Sequence, residues 1–199
     1  MYAMQISDVH LVSKKRGYQG FFALDEYEIK HKLFNGEMSR TFKREVFERG
    51  NASAVLLYDP SLDKIVLIEQ FRIGAYAANR NPWMLELVAG IDESGETPEN
   101  VVRREAMEEA GLELKTVKFA LNYLVSPGGT SEVINLFIAT VDSSLAKGIH
   151  GLADENEDIR VHTFDFKEAM QMIESGKICN AATILALYYL AVHKVEFCE

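Results

Sequence analysis

The chain of 199 residues is long enough for one substantial hydrophobic core with a small appended part. An apolar share of 48% and a charged share of 26% are ordinary for a soluble globular protein, and the net charge of −9 argues against a nucleic-acid partner held on a basic surface. An anionic small substrate stays open, because bound metal ions and local arginines invert the field inside a site.

The N-terminal run MYAMQISDVHLVSKKRG lacks the apolar stretch of a secretory signal. The longest apolar run, residues 181–192, is too short to cross a bilayer and predicts a buried C-terminal helix. Cys179 and Cys198 have neither metal-ligand nor disulfide-framework spacing, which suits a reducing compartment. The expectation is a cytoplasmic protein with no membrane partner.

Residues 1–50 read as a strand-rich N-terminal part, followed by a larger domain over 51–199. Residues 21–34 alternate loosely, Asn35-Gly36 signals a two-residue hairpin, and 41–47 return as a second strand. Arg44, Glu45 and Arg49 stand out there, either as a charged outer strand face or as partners for phosphate and carboxylate. So small a sheet has few large apolar residues of its own, which favours a dimer.

From Ala52 the runs AVLLYD and KIVLIEQFR are nearly continuous in apolar residues, as in strands buried on both faces, and an Asp59-Pro60 turn splits them. Arg72 ends the second run, where a side chain can leave the sheet for a pocket. Residues 83–88 form another strand. Strands at 117–125 and 133–141 flank the turn Ser126-Pro127-Gly128-Gly129-Thr130. Residues 142–158 carry the acidic cluster Asp154-Glu155-Asn156-Glu157-Asp158 without apolar periodicity, either a solvated loop or a mobile one that delivers a carboxylate. A strand at 159–166, an amphipathic helix at 167–175 and the helix at 181–193 complete an α/β/α sandwich with a mixed sheet.

The chemistry concentrates in residues 90–112, GIDESGETPENVVRREAMEEAGL. Thr97 can cap a helix, Pro98 suits its first position, and Gly111 fits the left-handed position past its end. Glu105, Glu108 and Glu109 then share one helical face, with Cβ atoms about 5–6 Å apart. Like charges so close repel unless a cation lies among them, and Mg²⁺ takes oxygen ligands of this kind. An ordinary solvated acidic face is the alternative for the helix alone.

Gly90, five residues, Glu96, seven residues and then Arg104-Glu105-Ala106-Met107-Glu108-Glu109-Ala110-Gly111-Leu112 together resemble the complete box of the Nudix hydrolases, with small Ala106 where a larger aliphatic residue is common. The resemblance implies a Nudix-type α/β/α sandwich and metal-dependent hydrolysis of a nucleoside diphosphate linked to another group. It implies Glu105 and Glu109 as metal ligands with the Ala89 carbonyl, Glu108 completing the cluster, Arg104 fixing a glutamate rotamer, and Glu96 orienting loop and helix.

Pro127, fifteen residues past Leu112, and the segments LFNG, REVFERG, VLIEQFRIGAY, SPGGTSE and GIHGLADENEDIRVH are similar to the bacterial ADP-ribose pyrophosphatases of the NudF type, over nearly the whole chain. Gln19 departs from a more usual basic residue. This likeness implies Glu155 as general base, Glu157 as a further metal ligand, and Phe21 and Phe22 against adenine. It implies Arg44, Glu45, Arg49, Arg72, Ser126 and Glu132 in the substrate site, Mg²⁺ or Mn²⁺ in more than one copy, and a homodimer through the N-terminal region. Core packing is the plain alternative for the two phenylalanines. Relatives acting on GDP-mannose share the box and the SPGG turn, whereas the LADENEDIR loop and the REVFERG strand favour ADP-ribose. A non-catalytic sensor is the reading from another class, disfavoured by the intact box.

Overall fold

The computed structural model describes residues 4–197, the side chain of Glu155 excepted, so Cys198 lies outside the described residues. The chain divides into two compact units. The first runs as far as Gly50 and adds Leu124–Val133; the second takes Asn51–Tyr123 and the chain from Ile134 onward.

The first unit holds a three-stranded antiparallel sheet of β1 (Val9–Gln19), β2 (Ala23–His31) and β3 (Phe42–Glu48) in that order. β1 is one strand more than the pattern predicts. All of its residues are exposed, and its pairing with β2 shifts register between Leu11 and Ser13 and again between Arg16 and Tyr18. Each shift breaks the period-two alternation by which a strand is recognised.

The hairpin at Asn35-Gly36 has a three-residue loop rather than the expected two. Leu33 N–H bonds to Glu37 O at 2.7 Å, Gly36 N–H bonds back to Leu33 O, and Gly36 takes φ 91°. A three-residue loop with glycine in the left-handed region is the next most common hairpin closure. The turn after Leu124 joins this unit through hydrogen bonds: Phe47 N–H donates to Gly129 O and Thr130 Oγ1 donates to Phe47 O, each at 2.8 Å.

The second unit is built on β4 (Ala52–Asp59) and β5 (Lys64–Phe71), then helix α1 (Ile73–Ala77), β6 (Trp83–Glu86) and β7 (Val88–Ile91). The predicted single strand over 83–88 is thus two. β6 pairs with β5, β7 pairs with β4, and buried Leu87 is where the chain crosses between them. Helix α2 (Pro98–Ala110), β8 (Val117–Leu124), β9 (Val133–Thr140), β10 (Ile149–His150), β11 (Ile159–Asp165), α3 (Phe166–Glu174) and α4 (Ala181–His193) follow. The sheet runs β10-β11-β5-β4-β9-β8, with β4 and β9 parallel and the pairs β10-β11, β11-β5 and β5-β4 antiparallel.

Alternation along the strands divides the apolar residues between two cores. Leu56, Tyr58, Ile65, Leu67, Leu136 and Ile138 face α3 and α4, with Ala169, Met172, Leu187 and Leu190 opposite them. Val55, Leu57, Val66, Ile68, Phe137 and Ala139 face α2, with Val102, Ala106 and Ala110 opposite. Ala106 is fully buried, so its small side chain lets α2 lie close on the sheet.

The C-terminal helix is buried along one face only: Thr183, Ala186, Leu187 and Leu190 are inside, while Tyr188 and Val192 are exposed. The buried helix expected from the apolar run 181–192 is thus buried on one side. Among the described residues no helix is long and apolar enough to cross a membrane. Together the layers make the expected α/β/α sandwich with a mixed sheet.

Candidate active site

The site grows from the strand-to-helix passage β7-loop-α2. Thr97 Oγ1 accepts from Asn100 N–H at 3.3 Å, Pro98 opens the helix and Gly111 closes it at φ 64°. Such a cap contributes about 1 kcal/mol and fixes where the first turn begins. That start phases the helix so that Val102, Ala106 and Ala110 meet the sheet while Glu105, Glu108 and Glu109 gather beside β7.

Glu109 is 2% exposed, and its Oε2 accepts the Ala89 N–H at 3.0 Å. Burial pushes its carboxyl up to about 8 against the Ala89 hydrogen bond and Arg72; the charges of Glu105 and Glu157 push the same way as burial. Glu105 is raised as well, by burial first, with Arg104 opposing and Glu108 and Glu157 adding to the rise. Four carboxylates from two segments far apart in sequence, Glu105, Glu108, Glu109 and Glu157, are therefore linked through their charges.

Arg104 brings a positive charge to the helix carboxylates. Its guanidinium donates to Glu105 Oε1 at 2.7 Å, to Glu108 Oε2 at 3.0 Å and to both oxygens of Glu96 at 3.2 and 3.3 Å. Glu96, on the loop before α2, is thereby tied to the helix it precedes. Gly90 is set by close approach: a Cβ there would lie 1.8 Å from Glu105 Oε1 and 2.3 Å from its Cδ.

The acidic loop is more structured than its composition suggests, with β10 and a 3-10 turn at Ala153–Glu155. Gly151, at φ 99°, donates its N–H to Glu108 O at 3.2 Å, and the His150 ring sits where a Cβ on Gly111 would be, 2.6 Å from Cε1. These contacts dock the loop on the end of α2. Asn156 takes φ 57°, and Glu157 turns back so that Oε2 accepts Leu152 N–H at 3.2 Å. The side chain of Glu155, expected to be the base, lies outside the described residues.

Arg72 stands at the start of α1, with Nε 2.7 Å from Glu86 Oε2. It lines a cleft of about 400 Å³ with Gln70, Phe71, Trp83 and residues 156–158. The Phe71 and Trp83 rings pack edge-on at 5.8 Å, and each is at least half exposed. Gln70 and Trp83 escape sequence reasoning. The signal for Gln70 is a polar residue continuing the buried face of Val66 and Ile68; nothing in the pattern marks Trp83.

The remaining predicted residues lie in the first unit. Phe22 packs edge-on against Phe47 at 5.2 Å and Phe21 at 4.8 Å, and the Arg49 guanidinium lies over the Phe22 ring at 5.1 Å. Arg49 Nε is 3.3 Å from Glu132 Oε1, an ion pair whose angle misses hydrogen-bond geometry. Glu132 is buried, which raises its carboxyl pKa although Arg49 opposes the rise. Phe21 is 85% exposed, a placement that core packing does not explain. Ser126 O accepts from Gly129 and Thr130 N–H, closing the Pro127 turn. Arg44 and Glu45 are adjacent on β3 and so point to opposite faces; Arg44 lies over the Phe42 ring at 4.6 Å. The structure thus gathers Phe21, Phe22, Arg49 and Glu132 in one unit, and Arg72, Ala89, Arg104, Glu105, Glu108, Glu109 and Glu157 in the other.

Among the described residues no three acidic, histidine or cysteine side chains already converge to chelate an ion; the Arg104 guanidinium stands among the glutamates instead. Their chemistry nonetheless fits a hard divalent cation. The donors are all oxygens, Glu109 is buried, and the backbone at Gly90 leaves Glu105 room to reach the same place.

A glutamate-lined helix following a strand that carries Gly90, in an α/β/α sandwich, defines a class, and the NUDIX domain profile matches residues 48–183. The chain belongs to the Nudix family. It is 53% identical over 187 residues to the ADP-ribose pyrophosphatase of Escherichia coli (strain K12), covering 94% of this chain and 90% of that one. It is 46% identical to the ADP-ribose pyrophosphatase of Haemophilus influenzae, over 95% of this chain and 88% of that one. It is 38% identical to the GDP-mannose pyrophosphatase of Escherichia coli O1:K1, over 92% and 94%. A crystal structure of an ADP compounds hydrolase shares the fold, with a TM-score of 0.72 at 18% identity over 99% of this chain and all of that one.

Proposed function

We propose that the chain is an ADP-ribose pyrophosphatase, hydrolysing ADP-ribose to AMP and ribose 5-phosphate with divalent metal ions, Mg²⁺ or Mn²⁺ in more than one copy. The observation that carries this reading is the buried carboxylate of Glu109, which accepts the Ala89 N–H at 3.0 Å, next to the Glu105 carboxylate packed on Gly90. The likeness at 53% identity to an ADP-ribose pyrophosphatase over 94% of the chain supports the substrate.

The Ala89 carbonyl, Glu105, Glu109 and Glu157 would hold the ions. A bound divalent ion neutralises the pyrophosphate oxygens and so favours attack on phosphorus. Arg104 holds Glu96, Glu105 and Glu108 in fixed rotamers, acting through them rather than on substrate. Glu155 takes the proton of the attacking water as the new P–O bond forms and the bond to the other phosphate breaks. Arg72 donates to phosphoryl oxygens, and Phe21 and Phe22 give adenine an aromatic surface. Arg44, Glu45, Arg49, Ser126 and Glu132 complete the substrate contacts, in a cytoplasmic homodimer formed through the N-terminal part.

The GDP-mannose relative keeps a second substrate in view. Purified protein given Mg²⁺ with ADP-ribose or GDP-mannose decides between them: a higher kcat/KM on ADP-ribose with AMP as product is expected. Preference for GDP-mannose would overturn the substrate and leave the site.

A further inference from the structure

The Arg72 cleft contains a donor that the fold leaves unused. Gln70 is 6% exposed, and its buried Nε2 has no hydrogen-bond partner among the described residues. An unpaired buried donor is a standing cost, so in a native protein it calls for an explanation. Here the side chain also walls the cleft, beside Arg72 and opposite residues 156–158.

Position on the strand places it on the chemically relevant side. Val66 and Ile68 pack beneath α2, and Gln70 continues that face at the end of β5, two residues before Arg72. The carboxamide is therefore on the sheet face that carries the glutamate helix. Its last torsion is broad and soft, so rotating the amide toward the cleft costs little.

We propose that Gln70 is a substrate-binding residue, its carboxamide donating to a phosphoryl oxygen of a nucleoside diphosphate sugar held beside Arg72. The chemistry selects that partner. An unpaired N–H requires an acceptor, and the guanidinium next to it draws an anionic one. A phosphoryl oxygen gives this donor the acceptor that no described residue supplies. This inference rests on the reading of the chain as an ADP-ribose pyrophosphatase and adds a residue to it.

The test uses the full-length protein, the non-hydrolysable α,β-methylene analogue of ADP-ribose for calorimetric Kd, and ADP-ribose for kcat/KM. Gln70→Leu keeps the volume and removes the donor. Because no described residue pairs with that donor, the variant melts at or above the wild-type temperature while Kd weakens by about ten- to hundredfold and kcat/KM falls with it. Gln70→Glu brings a negative charge to a phosphoryl oxygen and weakens Kd further still. Thr183→Val, at a buried hydroxyl on α4 with no partner among the described residues, leaves Kd unchanged.

Unchanged Kd in Gln70→Leu, with or without a lower melting temperature, overturns the inference while wild-type turnover preserves the ADP-ribose reading. Tighter binding by Gln70→Glu than by Gln70→Leu overturns the phosphoryl assignment in favour of a hydroxyl partner. Failure of the wild type to bind the analogue or cleave ADP-ribose overturns the substrate reading and the inference with it.

Discussion

Gly90→Ala is a one-methyl change whose effect can be worked from the structure. Gly90 is not among the positive-φ residues, so alanine meets no backbone strain there. The obstacle is Glu105. The new Cβ would lie 1.8 Å from Oε1, 2.3 Å from Cδ and 2.6 Å from Cγ, where real Cβ contacts stay beyond 3.0 Å. The carboxylate must retreat by more than an ångström, and Arg104, bonded to the same Oε1 at 2.7 Å, must follow or let go. Displacements of about 1 Å in a catalytic constellation cost on the order of a hundredfold in rate. The expected result is a fall in kcat of that size with weaker Mg²⁺ binding by calorimetry. Because only a side chain on the rim of the core moves, the melting temperature stays within a few degrees. Wild-type kcat and metal affinity in Gly90→Ala would refute the assignment of Glu105 to the metal site.

The other predictions concern charge. Glu105→Gln or Glu109→Gln abolishes metal-dependent turnover and leaves the circular dichroism spectrum unchanged; retained activity would remove these residues as ligands. Glu155→Gln lowers kcat far more than it weakens binding, and an unchanged kcat would require another base. Asp59 tests the fold rather than the site. Burial alone would raise its pKa, but hydrogen bonds from Ser61 and Ser143, including Ser143 N–H at 2.9 Å and Oγ at 2.7 Å, bring it down to about 2 from 3.8. A depressed carboxyl contributes stability above its unfolded pKa and loses it as pH falls through the folded value, here between about 4 and 2. That contribution is about 2 kcal/mol at neutral pH. Asp25 and Asp142 are depressed too, so both proteins lose stability over that window in urea titrations, but the wild type loses about 2 kcal/mol more than Asp59→Asn; parallel curves would contradict the account.

The helix of the site was legible because each of its signals is local. Thr97, Pro98 and Gly111 act within one turn of their own position, and the phase they set places Glu105 and Glu109 without knowledge of the rest. The two-faced burial of β4 and β5 was legible for a similar reason, since AVLLYD and IVLI admit few other arrangements. What escaped depends on partners distant in the chain. β1 is solvent-exposed and twice bulged, so only its pairing with β2 reveals it as a strand. The division of 83–91 into β6 and β7 is imposed by the two strands they pair with. The Gln70 cleft needs β5, β6 and the 156–158 turn side by side, and no run of sequence contains that juxtaposition. Arg44 and Glu45, both expected in the substrate site, are neighbours on β3, and strand geometry turns them apart.

The account centres on the carboxylates of α2 and Glu157 as the place where a divalent ion makes pyrophosphate hydrolysis possible. The most direct measurement follows ADP-ribose hydrolysis by wild type and Glu109→Gln, each with Mg²⁺ and again with EDTA. Release of AMP by the wild type with Mg²⁺ alone, and by Glu109→Gln under neither condition, is the predicted result. Equal turnover in EDTA, or full activity of Glu109→Gln, would contradict it.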